Sequence, residues 1–160
     1  MRFVVDGMLG KLARWLRMLG HDVDYDSSLN DNSLLDLAEK NQSVLLTRDE
    51  ELCRRARARQ ISGFFITGDR EEVRLAEVAR EYGVSLLVDM SLTKCPKCGG
   101  SLAEISKLEL GSQVPAASLN LYDKFWKCAN ANCGKIYWRG GHWKQIELTL
   151  ARARQLLEAS

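Results

Sequence analysis

MRFVVDGMLGKLARWLRMLG, residues 1–20, passes from one structural period to another within a few positions. Residues 1–5 form a short apolar run rich in valine, the pattern of a strand. From Met8 onward Leu9, Leu12, Ala13, Leu16 and Leu19 recur at helical intervals. Gly20 stands where such a helix stops. Asp6 and Gly7 fill the turn between the two periods. Lys11, Arg14 and Arg17 recur every three positions, which predicts a basic strip on the exposed side of this helix.

The alternation continues outward. Residues 21–26 read as a second strand. Residues 33–40 read as a helix with Leu34, Leu35, Leu37 and Ala38 inward, capped by Asp31 or Ser33. Residues 43–47 (SVLLT) are continuously apolar, as buried parallel strands are. An arginine-rich helix over 50–59, a strand over 63–67, a helix over 70–82 closed by Gly83 and a strand over 85–88 follow. Five strands alternating with helices predict an α/β fold, an open parallel sheet with helices on both faces.

Composition sets the outer limits. The chain has 160 residues, 46% hydrophobic and 28% charged, which is ordinary globular usage and excludes a disordered chain. No apolar run reaches the roughly 18–20 residues of a membrane helix. MRFVVDG lacks the pattern of a signal peptide, so the expectation is a soluble, cytoplasmic protein. Residues 1–93 hold 13 basic and 16 acidic side chains, whereas 94–160 hold 10 and 5. This shift places a boundary near Thr93, giving an α/β domain over 1–92 and a smaller module with a C-terminal helix over 93–160. The basic part could attract a polyanion.

That second part carries Cys95-Pro-Lys-Cys98 and, after 29 intervening residues, Cys128-x4-Cys133. In a chain without a secretion signal, two cysteine pairs read as a metal site. Four thiolates make a closed tetrahedral site of the structural kind, suited to Zn²⁺. The remaining cysteine, Cys53, reads as a helix residue without chemistry. Beyond the second pair, Tyr137, Trp138, Arg139, His142 and Trp143 interleave aromatic with basic side chains. Such a run either stacks on single-stranded nucleic acid or forms the small core of the metal module.

Acids fall near the strand ends: Asp6, Asp24 and Asp26, Asp49, Asp69 and Asp89. In open α/β sheets ligands bind outside the carboxyl ends of the strands. Carboxylates gathered there repel one another unless a cation sits among them, and hard oxygen ligands suit Mg²⁺ or Mn²⁺. Asp31, Asp49 and Asp69 read equally well as helix caps. Other α/β chemistries are excluded by pattern: no dinucleotide glycine loop, no Walker lysine motif, no nucleophile elbow, and only two histidines.

The runs DGMLGKLARWLRMLGHD (6–22), LTRD (46–49), CPKC (95–98) and YWRGGHW (137–143) resemble, in the same order, the PIN-like ribonuclease family with a C-terminal zinc ribbon, named for the Mut-seven C-terminal RNase domain. The resemblance spans nearly the whole chain. It implies a PIN-like fold that hydrolyses RNA phosphodiesters with Mg²⁺ or Mn²⁺ held by Asp6, Asp31 and Asp49, with Glu51 as an auxiliary. Lys11, Arg14, Arg17 and Arg48 would hold flanking phosphates. Trp138, Arg139, His142 and Trp143 would bind RNA, or the ribbon would instead dock the nuclease onto a larger RNA-processing assembly. The family's helical glutamate between the first and later acids has no clear counterpart, so either Asp24, Asp26 or Asp36 would substitute or the site would hold fewer metals. The alternative is a non-catalytic RNA-binding adaptor with a degenerate site.

Overall fold

Four short parallel strands organise the first half of the computed structural model, which describes residues 1–159. Only Ser160, the end of the expected second unit, lies outside the described residues. The strands are β1 (Arg2–Val5), β2 (Asp22–Asp24), β3 (Val44–Thr47) and β4 (Gly63–Phe65). They lie in the order β2-β1-β3-β4, with Phe3 opposite both Val23 and Val44 and Leu46 opposite Phe64. A 3-10 turn over Gly7–Leu9 leads into α1 (Gly10–Met18). Then come α2 (Asp31–Asn41), α3 (Glu50–Ala58) and α4 (Glu71–Tyr82).

Side chains alternate across the sheet, as the pleat requires. Phe3, Val5, Val44 and Leu46 join Leu12 and Leu16 of α1 and Leu75 and Val78 of α4 in one core. Val4 and Leu45 face the other way, onto Leu34 and Leu35 of α2 and Leu52 and Ala56 of α3. The sheet thus has helices on both faces, as expected. Cys53 is buried in α3.

The second half holds an antiparallel ribbon: β5 (Leu102–Ile105), β6 (Phe125–Cys128) and β7 (Ile136–Tyr137). Between β5 and β6 lie two 3-10 turns and the short α5 (Ala116–Leu121). Leu110, Val114 and Phe125 form its small core, with Ile136 and Trp138 packed against it. The last helix, α6 (Trp143–Glu158), returns to the first layer, where Leu150 and Ala153 are fully buried with the α4 residues. Among the described residues no helix is long and apolar enough to cross a membrane.

Two expectations are corrected. Residues 85–88 are not a strand. Val84 and Leu86 are buried and Val88 is half-buried, so the alternation is real, but it reports one-sided burial rather than pairing. The Leu86 carbonyl is satisfied by Arg154 of α6, at 2.9 Å, instead of a neighbouring strand. The cap of α2 is Asn30, whose side chain accepts the Ser33 N–H at 2.8 Å. Asp31 is the first helical residue, one position inside the cap.

Candidate active site and metal centre

The strand order reverses between β1 and β3. A crevice therefore opens outside their carboxyl ends, where open α/β sheets bind ligands. Asp6 is the first residue beyond β1. Its N–H donates to the Leu46 carbonyl at 3.0 Å, which pins it to β3. Its Oδ2 accepts the hydroxyl of Thr47 at 2.8 Å. Thr47, fully buried at the end of β3, in turn accepts the Asp49 N–H at 3.0 Å. Asp49 caps α3, its Oδ1 accepting the Glu51 and Leu52 N–H groups at 2.9 and 3.2 Å. One hydroxyl thus donates to one acid and accepts from the backbone of the next. Oδ1 of Asp6 and Oδ2 of Asp49 receive no donor among the described residues.

Tyr25, just beyond β2, closes one side of the crevice by donating to the Gly7 carbonyl at 2.7 Å. A Cβ at Gly10 would stand 2.7 Å from that phenol oxygen, so the close approach requires glycine. On the β4 side, Glu77 of α4 accepts the N–H groups of Thr67 and Gly68, each at 3.0 Å, and the Thr67 hydroxyl. Arg48 is half-buried and donates to the Gly68 carbonyl at 2.8 Å.

The other acids lie outside this chain of contacts. Asp31 is exposed at the start of α2, 3.8 Å from Arg55 of α3, in a pairing between the two helices. Asp24 accepts from Asn41 and pairs with Arg2. Asp26 and Asp89 close turns with Ser28 and Ser91, and the serine side-chain and backbone donors lower both carboxyl pKa values. Asp69 is exposed and does not cap α4, which begins after Arg70 without a side-chain cap. Among the described residues no three carboxylates are gathered as closely as the cysteines below.

Lys11 and Arg14 lie exposed on α1, as expected. Arg17 does not. It is 6% exposed and donates to the Val23 carbonyl at 2.9 and 3.3 Å. It also donates to Pro96 and Lys97 carbonyls in the first cysteine knuckle, at 3.3 and 3.4 Å. Three-residue spacing drifts around a helix of 3.6 residues per turn, so the third member of the strip rotates inward. Burial lowers its pKa, and the nearby Cys98 and Cys95 oppose the shift.

The sulfurs of Cys95, Cys98, Cys128 and Cys133 all lie within 4.8 Å of one another. Cys95–Cys133 and Cys98–Cys128 are 3.9 and 3.4 Å apart. Tetrahedral Zn–S bonds of about 2.3 Å require sulfurs roughly 3.8 Å apart, so the four can hold zinc. Burial disfavours the Cys98 thiolate, but the Gly100 N–H, Cys128 and the Asn130 amide outweigh it and bring the thiol down to about 7. Burial and Cys95 raise the Tyr137 pKa, so its phenol keeps the proton it can donate to Cys95 sulfur, 3.0 Å away. The YWRGGHW run divides its labour. Trp138 packs on Phe125, centroids 5.8 Å apart, in the ribbon core. Arg139 lies 5.0 Å over the half-buried ring of Trp143, and His142 is exposed.

Thr47 and Tyr25 are site residues that the sequence reading did not single out, and Tyr137 reads there only as part of the aromatic run, not as a partner of Cys95. Thr47 had a signal: a hydroxyl closing an apolar strand two residues before an aspartate. Tyr25 had none, and the motif around Tyr137 did not point to a cysteine, because both tyrosines reach their partners through the tertiary fold.

Fold and site define a class: an open parallel α/β layer with a carboxylate at its switch point, joined to a ribbon whose four clustered cysteines can hold a metal ion. The model of the Mut7-C RNAse domain family matches residues 1–150, and the chain belongs to that family. No curated protein and no solved structure matches it.

Proposed function

We propose that the chain is a divalent-metal-dependent ribonuclease centred on the Asp6–Thr47–Asp49 crevice. The observation that carries this reading is the position of Asp6, fixed by backbone and side chain to β3 at the switch point of an RNase-family domain. Oδ1 of Asp6 and Oδ2 of Asp49 are hard oxygen donors without partners among the described residues, a set that fits Mg²⁺ or Mn²⁺. Such an ion, when bound, neutralises phosphate charge and lowers the pKa of water. The chain's own residues orient and attract. Thr47 holds the Asp6 carboxylate in one rotamer, and the α3 amides hold that of Asp49. Lys11, Arg14 and Arg48 line up RNA phosphates beside the crevice. Asp31 and Glu51 stand at the starts of α2 and α3 as outer acids. Arg17 is left out of substrate binding, because its donors are engaged with the fold. The four cysteines hold Zn²⁺ in a structural role, and the Arg139–Trp143 surface contacts RNA.

A second reading, an RNA-binding adaptor without cleavage, is favoured by the pairing of Asp31 with Arg55 and the spread of the carboxylates. The two separate in one experiment. Labelled single-stranded and structured RNAs are incubated with Mn²⁺ and either wild type or Asp6→Asn. Cleavage that needs Mn²⁺ and vanishes in Asp6→Asn supports the nuclease. Salt-dependent binding by both proteins without cleavage moves the conclusion to the adaptor. Equal cleavage by both removes Asp6 from the mechanism.

A further inference from the structure

The α/β layer and the ribbon meet at a cavity of about 200 Å³. Met18 at the end of α1 and Met90 line it from the first half, and Trp138, Trp143 and Ile146 from the second. The volume is that of roughly seven liquid waters, below the roughly 300–1,000 Å³ of clefts for drug-sized ligands. One planar heterocycle is of that size, whereas a helix is not. Indole faces stack on any base, and methionine adapts its shape to what enters. The rim is cationic. Arg139 is exposed, its guanidinium carbon 5.0 Å over the Trp143 ring, and engages no acceptor among the described residues. The attraction of the ring face holds the guanidinium at the mouth while its N–H donors stay free for a phosphate. Lys144 is exposed on the next residue of the helix, in the half of the chain with 10 basic and 5 acidic side chains.

We propose that this cavity receives one unpaired nucleobase of single-stranded RNA, with Arg139 on an adjoining phosphate. The choice of RNA rests on the ribonuclease-family reading. The free cation at the mouth favours it over an apolar protein side chain, which would fill the cavity but leave Arg139 without an anion.

The test is equilibrium binding by the full, zinc-loaded chain without Mg²⁺ or Mn²⁺. The probes are fluorescein-labelled decaadenylate and the same ribose-phosphate backbone lacking bases. Trp143→Ala should weaken decaadenylate binding roughly 5- to 150-fold and leave the baseless strand unchanged. Trp143→Phe should retain most of the affinity. Met90→Trp, which fills the cavity and removes no aromatic, should act like Trp143→Ala and covers the case in which that variant misfolds. Arg139→Ala should weaken both probes alike and reduce the salt slope by about one. An unchanged ratio between the probes in Trp143→Ala and Met90→Trp, or no wild-type preference for the base-bearing strand, overturns the proposal. Cleavage is scored separately. A chain that cuts nothing but shows the base-dependent loss keeps the cavity and loses the nuclease. One that cuts through Asp6 with an unchanged ratio does the reverse.

Discussion

Replacing Arg17 with methionine keeps an unbranched stem of similar reach and removes only the guanidinium. That group bonds the Val23 carbonyl at 2.9 Å and reaches Pro96 and Lys97 carbonyls at 3.3 and 3.4 Å. Hydrogen bonds from a charged donor contribute about 1.5–3 kcal/mol each, and the two long contacts belong below that range. The burial that lowers the arginine's pKa is a cost the thioether does not carry, and it returns part of the loss. The net expectation is about 3 kcal/mol of destabilisation. For a chain of this size that is a fall in Tm of about 6–12 °C. Zinc should also leave faster, since the carbonyls of the first knuckle lose their anchor to α1. Calorimetry gives the first quantity and transfer to a chromophoric chelator the second. Arg14→Met, on the same helix but exposed, should stay within about 0.5 kcal/mol of wild type. If Arg17→Met melts and releases zinc like Arg14→Met, the reasoning is wrong.

Thr47→Val preserves shape but removes the hydroxyl between Asp6 and Asp49; it should lose about 1–2 kcal/mol of stability. Loss of Asp6 positioning should also slow RNA cleavage about tenfold, measured in single turnover. Chelating the zinc withdraws a staple on the order of 10 kcal/mol, so the ribbon should lose its near-ultraviolet tryptophan signal and regain it when zinc is restored; a signal indifferent to chelator would reject the structural role. Leu150→Ala should cost about 2–5 kcal/mol by urea denaturation if α6 is part of the main core. Burial, aided by the terminal ammonium, lowers the His21 pKa, and its Nδ1 has no hydrogen-bond partner among the described residues. The folded state therefore favours the neutral ring, so this stability is intact above the unfolded pKa of about 6.5 and is lost as pH falls below it. His21→Gln should flatten the decline in Tm between about pH 7 and 5, and an unchanged slope would contradict the assignment.

Where neighbours along the chain decide structure, the sequence was legible. The four parallel strands and α1 to α4 announce themselves by period and by glycine stops. The four cysteines announce their centre by spacing. Asp6 is legible because it ends the first strand, a position that topology turns into a switch point. Where the reading failed or stayed open, the deciding partner lies far away in sequence. Residues 85–88 carry strand spacing, yet a side chain 68 residues later satisfies Leu86. Arg17 reads as solvated until carbonyls 79 and 80 residues later come to meet it. Asp31 fits an acid opening a helix, but whether it faces the crevice or α3 depends on packing between α2 and α3, where Arg55 approaches it. Trp138 and Trp143 sit five residues apart in one motif, but Trp138 follows β7 into the ribbon core whereas Trp143, beyond the turn, opens α6 and is half-buried beneath Arg139.

Helix α1 connects the two centres. It begins one 3-10 turn after Asp6, and at its far end the Arg17 and Met18 carbonyls accept the Lys94 N–H and the Thr93 hydroxyl, each at 2.8 Å. The Arg17 side chain then reaches past them to the knuckle. Nine residues of helix are about 13.5 Å long. A rigid rod of that length thus separates the switch-point acid from the metal module, fixed at one end by β1 and at the other by the knuckle. Because α1 also contributes Leu12 and Leu16 to the main core, it cannot shift at one end without disturbing the packing along its length. A zinc ion on the four cysteines would therefore stabilise more than the ribbon: by fixing the knuckle whose carbonyls meet Arg17, it would hold the end of the helix whose start sets Asp6 beside Thr47.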